Sequence, residues 1–239
     1  MESNTQPIER LDHSSPRVLD LHSMFYTIQG EGPFAGRPAV FIRLAGCNLQ
    51  CPGCDTEYTT GRQTIDTELI AIRAAHLADA PLVVITGGEP FRQDISQLVT
   101  LLHGRGCTVQ IETNGVIGLP AGSCSIWDYP DVHIVVSPKV GKVHPSIADR
   151  ASAYKYVLSA WDTDPTDGLP IRALFNNLPS TQVRVARPPE GFPTSQIYVN
   201  PMDEQNPELN QQNLAAVAKS CLTHGYTAGV QMHKYMNLE

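Results

Sequence analysis

"PLVVITGGEP", residues 81–90, decides how this chain is read. Leu82 to Ile85 run without a charge, and Gly87-Gly88 then break the run. So short a continuous apolar run fits a strand buried on both faces, as in a parallel sheet. Parallel strands need crossovers, and helical patterns lie on both sides of this stretch. The pattern predicts a helix over 67–78, with Leu69, Ile72 and Leu77 on its apolar face. A second helix follows, with Asp94 as its cap and Gln97 three positions on. Ile95, Leu98, Val99 and Leu102 share one face of it, and Gly104 or Gly106 supplies the stop.

Working outward, "FYTIQGEGPF" ends an apolar segment in a turn at Gly30 and Gly32. "PAVFIRLAG" (38–46), "CTVQIETNG" (107–115) and "DVHIVVSPK" (131–139) read as strands, as do "AYKYVL", "TQVRVA" (181–186) and "QIYVNPMD" (196–203). A last helix is expected from Asn206-Pro207, burying Leu214, Val217, Cys221 and Leu222 and stopping at Gly225. "TAGVQMHKY" (227–235) is expected to close the chain as a strand. Strand–helix alternation implies an α/β fold with a mostly parallel sheet and right-handed crossovers. "GCNLQC", "TGGEP", "ETNG", "SPK" and "NPMD" all follow strands, so they gather on the rim formed by the strands' carboxyl ends. Residues 18–239 are expected to form one domain, residues 1–17 a flexible N-terminal extension, and 161–177 a polar insertion.

Composition narrows the function. The chain has 239 residues, 41 % of them hydrophobic and 17 % charged, which is a globular balance. A net charge of −7 offers no footprint for gripping a phosphate backbone, so nucleic acid is not an expected partner. No apolar window of about 18 residues exists to span a membrane, and the first 17 residues lack the apolar core of a signal peptide. A cytoplasmic location is expected, where six cysteines serve as thiols or metal ligands rather than disulfides.

Three of those cysteines, Cys47, Cys51 and Cys54, crowd into "GCNLQCPGCDTEYT" with no fourth. Thiolates suit iron–sulfur clusters, zinc and copper(I). A cluster held by three thiolates leaves one iron open to an outside ligand, which matches the missing cysteine. A zinc knot, with its fourth ligand recruited from elsewhere, is the alternative. Cys107, Cys124 and Cys221 lie scattered and read as plain buried thiols.

"CNLQCPGC" resembles the C-x₃-C-x₂-C signature of radical S-adenosylmethionine enzymes. The resemblance implies a partial (β/α) barrel, a 4Fe-4S cluster on Cys47, Cys51 and Cys54, and S-adenosylmethionine chelated to the open iron. Electron transfer from the cluster then cleaves the sulfonium and yields a 5′-deoxyadenosyl radical. By the same resemblance Gly88 and Glu89 of "TGGEP" receive the methionyl amine. Gly53, Cys54, Asp55, Thr113, Asn114, Ser137, Pro138 and Lys139 complete the cofactor contacts.

"FYTIQGEGPFAGRPAVFIRLAGC" and "CDTEYT" resemble the 7-carboxy-7-deazaguanine synthases of queuosine and deazapurine biosynthesis, from Met24 to "QMHKY". That family turns 6-carboxy-5,6,7,8-tetrahydropterin into 7-carboxy-7-deazaguanine and ammonia, with magnesium present. Ile28, Gln29, Gly30 and Glu31 match its pterin-binding turn, Arg43 its carboxylate fork and Thr86 a further pterin contact. Asn200, Pro201, Met202 and Asp203 match another pterin segment, with Asn200 standing where the family pattern has Gln. Thr56 of "CDT" matches the Mg²⁺ ligand, substrate oxygens and waters completing the octahedron. Read from the residues alone, Arg43 could face solvent on an edge strand, and Thr56 could bond its own turn. The resemblance also implies a homodimer and an electron donor such as flavodoxin or ferredoxin. A radical activase acting on a partner protein's glycine shares the cysteine and GGEP motifs. A non-catalytic zinc or iron–sulfur module is the alternative of another class.

Overall fold

The computed structural model describes residues 4–78, 82–120, 125–173 and 184–238. Nine strands form one open sheet. In chain order they are β1 (Val18–Ile28), β2 (Pro38–Leu44), β3 (Gln63–Asp66), β4 (Leu82–Gly87), β5 (Thr108–Thr113), β6 (Val132–Val136), β7 (Ala151–Leu158), β8 (Ile197–Pro201) and β9 (Thr227–Ala228). Their order across the sheet is β3-β1-β2-β4-β5-β6-β7-β8-β9. Every pairing from β2 to β9 is parallel, while β1 runs antiparallel to both β2 and β3. The expected α/β architecture with a mostly parallel sheet is the one observed.

Side chains alternate across each strand, so the sheet has two chemically distinct faces. Ile42, Leu44, Val83, Ile85, Val109, Ile111, Ile134, Val136, Tyr154, Tyr156 and Val199 all belong to the main apolar core. Helices α1 (Thr67–Leu77), α2 (Ser96–His103) and α4 (Pro207–His224) pack on that side. The intervening residues face the other way: Phe41 and Arg43 on β2, Thr86 on β4, Gln110 and Glu112 on β5, Lys155 on β7, Asn200 on β8. That is a polar inner face. Glu31, just beyond β1, accepts a 3.1 Å hydrogen bond from Asn200 on β8. Those strands are six pairing steps apart, about 29 Å across a flat sheet at about 4.8 Å per step. The sheet therefore curls, and the turn after β1 folds into its hollow.

The helices hold both successes and corrections for pattern reading. All four apolar positions predicted for α2 are fully buried, but its N-cap is Ile95 rather than Asp94, which stands one residue earlier and accepts from the Ser96 amide. The final helix starts and stops where Asn206-Pro207 and Gly225 placed it: Asn206 accepts from the Glu208 and Leu209 amides, and Gly225 adopts φ 76°. Leu222, however, is exposed, because the buried stripe is Asn213, Val217, Ser220 and Cys221 at i, i+4, i+7, i+8. In α1 the same phase error occurs. Thr67, Ile70, Ala71 and Ala74 face the sheet, leaving Leu69, Ile72 and Leu77 partly in solvent.

Two strand assignments also change. Arg184, from "TQVRVA", makes only an isolated bridge with Arg172, and residues 181–183 lie outside the described residues. Of "TAGVQMHKY" only Thr227 and Ala228 are strand, and a short helix, α5 (Met232–Met236), follows. A Cβ at Gly229 would lie 1.8 Å from Asn200 Oδ1, so the chain passes over β8 too closely to continue a regular strand. Helix α3 (Pro145–Ala148) is one turn long. The 174–177 part of the expected insertion and Cys124 lie outside the described residues. Residues 4–17 lie against the body: Ile8 bridges Cys47 and Asp12 bridges Gln93.

Candidate active site

The loops after β2, β4, β5, β6 and β8 converge on one cavity of about 630 Å³. Cys47, Cys51 and Cys54 all line it, with Gly53 and Asp55 of the same loop, Thr86 and Gly88, Thr113 and Asn114, Ser137 and Lys139, Met202 and Asp203. These are the rim motifs, brought together as the parallel topology requires. The three thiols are free, and they grade from buried Cys47 to exposed Cys54. Burial pushes the Cys47 thiol up to about 12, with the neighbouring Glu89, Cys51 and Cys54 adding to the rise. Burial raises Cys51 and Cys54 as well. Bound iron would take the place of those protons. Three free thiols line one cavity, while among the described residues no three His, Cys, Asp or Glu side chains are gathered to hold a single metal ion, so the donor set suits a larger cluster better than a lone ion.

The glycine pair explains itself by distance. A Cβ at Gly88 would sit 2.2 Å from the Gly46 carbonyl oxygen and 2.8 Å from Cys47 Cβ, while one at Gly87 would meet Leu44 O at 2.1 Å. The turn after β4 thus lies directly on the start of the cysteine loop, an approach only glycine allows. Glu89 is fully buried and outside the cavity lining. Its carboxylate accepts from Thr113 Oγ1 at 2.7 Å, Asn114 N at 2.8 Å and Phe91 N at 3.1 Å. Burial raises its pKa to about 7, against the pull of those three donors. Glu89 therefore ties two rim loops together, and its oxygens are already engaged by the chain itself. Asn114 Nδ2 donates to Asn48 Oδ1 at 2.8 Å, binding a third segment to the cysteine loop. Pro138 is buried between Ser137 and Lys139, which face the cavity.

Below the rim lies a floor of polar side chains. Gln29 Nε2 and Gln110 Nε2 donate to Glu112 Oε1 at 3.0 and 2.9 Å. Lys155 Nζ reaches Glu31 Oε2 at 2.5 Å and Glu112 Oε2 at 3.3 Å. Burial alone would raise Glu31, but the Lys155 ammonium outweighs it and holds the carboxyl low. The two carboxylates in turn keep Lys155 above its ordinary value despite burial. Asn200, the departure from the family pattern, bonds Glu31 through Nδ2 and leaves its buried Oδ1 unpaired. Gly30 packs against His233, whose Nδ1 would lie 2.0 Å from an added Cβ.

Arg43 stands beside Thr86 in the β2–β4 register. Its guanidinium lies 5.2 Å over the Phe25 ring and is close enough to Cys54 to act on that thiol's charge. Its Nε is buried with no hydrogen-bond partner. An unpaired buried donor costs about 1–3 kcal/mol, and Arg43, like Thr56, is not among the residues lining the cavity. Thr56 donates from Oγ1 to Asp55 Oδ1 at 3.2 Å and is not among the cavity-lining residues. Ile28 closes β1 opposite Pro38, and Pro201 lines a smaller pocket of about 210 Å³ beside Met202, Asp203 and Lys234.

Glu112, Lys155, Gln231 and Lys234 were missed from sequence, although all four line the main cavity. A lysine inside the apolar strand "AYKYVL" and a glutamate in "QIET" were the available signals, because charge on an inward strand position demands a partner.

Comparison with known proteins agrees with this geometry. A family described as "4Fe-4S single cluster domain" matches residues 28–114, which hold the cysteine loop, the glycine turn and Glu112 to Asn114 of "ETNG". The 7-carboxy-7-deazaguanine synthase of Rhodospirillum rubrum is 41 % identical over 97 % of both chains. That of Rickettsia prowazekii is 34 % identical over 92 % of this chain and 89 % of its own. The crystal structure of QueE from Escherichia coli superposes with a TM-score of 0.64 at 26 % identity, covering 90 % of this chain and 94 % of that one. An iron–sulfur loop at the carboxyl rim of such a sheet defines the class: a radical S-adenosylmethionine enzyme. Within that class the chain belongs to the 7-carboxy-7-deazaguanine synthase family.

Proposed function

We propose that rim and floor divide the family's reaction between them, the rim holding cluster and S-adenosylmethionine, the floor and Arg43 holding 6-carboxy-5,6,7,8-tetrahydropterin. The observation that carries this reading is Arg43, a half-buried side chain beside Thr86 whose buried Nε has no hydrogen-bond partner and whose charge acts on the Cys54 thiol. Its fork matches a substrate carboxylate through two charge-assisted hydrogen bonds. The pterin's aminopyrimidinone edge offers two donors and one acceptor, and the floor offers their complement. Glu112 would accept and Lys155 would donate, both lining the cavity, while Glu31 is engaged by Lys155 and Asn200.

The bound cluster and S-adenosylmethionine supply the one-electron cleavage that generates a hydrogen-abstracting radical. The chain's own residues orient and shield. Gly88 lets the turn after β4 lie on the cysteine loop, Ser137 and Lys139 with Gly53, Asp55, Thr113 and Asn114 would hold the cofactor, and Val157 and Tyr58 also line the cavity. Thr56, whose hydroxyl donates to Asp55 Oδ1, would supply one Mg²⁺ ligand alongside substrate oxygens. Product is 7-carboxy-7-deazaguanine, with ammonia released. The electron comes from a small carrier such as flavodoxin or ferredoxin, and the chain works as a homodimer. Among the described residues no helix is long and apolar enough to cross a membrane.

Anaerobic, cluster-loaded, reduced protein given S-adenosylmethionine, magnesium and carboxytetrahydropterin is expected to release ammonia and the deazaguanine acid in equal amounts. A fully loaded protein that forms neither contradicts the reading.

A further inference from the structure

Residues 4–13 serve no part of the reaction described above, yet they are laid across the cysteine loop with unusual completeness. Glu9 N donates to Cys47 O at 2.7 Å, just where Ile8 bridges Cys47. Asn4 Nδ2 donates to Cys51 O at 3.0 Å. Gln6 does the most: Nε2 donates to Thr56 O at 2.9 Å, Oε1 accepts from Tyr58 N at 2.8 Å, and its carbonyl accepts from Gln50 Nε2 at 2.8 Å. The segment thus bonds the loop at its first cysteine, at its second, and just past its third.

It is itself anchored to the GGEP side of the site. Asp12 N donates to Arg92 O at 2.7 Å, Arg92 Nη1 to Arg10 O at 3.3 Å, and His13 Nε2 lies 2.9 Å from Phe91 O. The Glu9 carboxylate pairs with Arg62 and lies 3.5 Å from Arg92. At the crossing there is no slack, since a Cβ on Gly46 would come within 2.6 Å of Glu9 Oε2. The loop also closes on itself through Gly46 N to Tyr58 O at 3.0 Å.

A cluster tied by three thiolates has one tether fewer than a four-cysteine cluster, so its retention depends more on how still those three are held. Ordering a free loop costs conformational entropy, which a loop already held still does not have to give up when the cluster binds. We infer that residues 4–12 form a positioning strap that preorganises the cysteine loop and retains the cluster on three thiolates. The inference rests on the cluster reading of Cys47, Cys51 and Cys54. Gln6 is its central positioning residue, because it alone bonds the loop three times and touches no lining residue but Tyr58, through that residue's backbone.

The test uses full-length protein, anaerobically loaded, as wild type, Gln6→Met and Asn4→Ala with Gln6→Met. Gln6→Met keeps the side-chain length and removes only its two polar groups. Iron release into a chelator is followed, together with the electron paramagnetic resonance change of the reduced cluster on adding S-adenosylmethionine. Losing one to two hydrogen bonds predicts release about fivefold faster in Gln6→Met and faster still in the double variant, with far-ultraviolet circular dichroism unchanged. The resonance change is expected to broaden in the same order. Leu11→Gln, on the strap's exposed side, is expected to match wild type. Wild-type release and an unaltered resonance in Gln6→Met would overturn the strap even if the double variant failed to fold. A wild type that takes up no iron and sulfide overturns the cluster reading and the strap with it.

Discussion

The rim and the floor of this cavity were written into the chain in different ways. The rim comes from contiguous stretches: three cysteines within eight residues, two glycines after an apolar strand, "ETNG" and "SPK". The floor is gathered from four places, the Gln29–Glu31 turn, Gln110 and Glu112 on β5, Lys155 on β7 and Asn200 on β8, that meet only because the sheet curls. A cofactor shared by a superfamily can be gripped by portable loops. A particular substrate is read by what the fold carries to one place.

The largest effect should follow from breaking the rim. Cys51→Ala is expected to abolish cluster loading and all turnover, while circular dichroism shows the fold intact. Next comes the link between rim and floor. Arg43→Ala is expected to weaken substrate binding about 100-fold, the worth of a charge-assisted bidentate contact at about 3 kcal/mol. Cluster absorbance should stay at the wild-type level, and loss of the cluster instead would give Arg43 a structural job.

Within the floor, Lys155→Met strands Glu31 and Glu112 without their cation. Removing one partner of a buried ion pair costs about 3–5 kcal/mol, to be read from denaturant unfolding. The same cluster sets an acid limb. Glu31 is held below its ordinary value of 4.5, so its contribution is present above that pH and is lost as pH falls below it. Stability of the wild type should therefore drop more steeply on that limb than stability of Lys155→Met. Parallel curves would remove the ion pair from the account. The smallest effect belongs outside both regions: Leu222→Gln, at a side chain 88 % exposed, should shift stability by less than about 0.5 kcal/mol.

Most of the fold was legible because punctuation and periodicity agreed. Asn206-Pro207 and Gly225 bound α4, and the apolar phase of α2 matched its burial residue by residue. Where periodicity was weak, size misled. In α1 the large side chains Leu69, Ile72 and Leu77 lie off the buried stripe, which small Ala71 and Ala74 occupy because the helix lies close to the sheet. The N-terminal segment looked like an extension because polar side chains give no periodic signal. Its attachment runs through Asn4, Gln6 and Glu9 bonding to loop backbone, which no local pattern encodes. Glu89, matched by its motif to the methionyl amine, has a carboxylate that accepts from Thr113, Asn114 and Phe91, contacts that no local pattern encodes.

One measurement bears most directly on the division of labour between a cluster rim and a substrate floor. Anaerobically loaded protein is assayed for iron and acid-labile sulfide, then reduced and examined by electron paramagnetic resonance before and after S-adenosylmethionine is added. The account predicts four irons and four sulfides per chain and a resonance that shifts when the cofactor docks. One metal ion without sulfide, or a cluster resonance indifferent to S-adenosylmethionine, would contradict it.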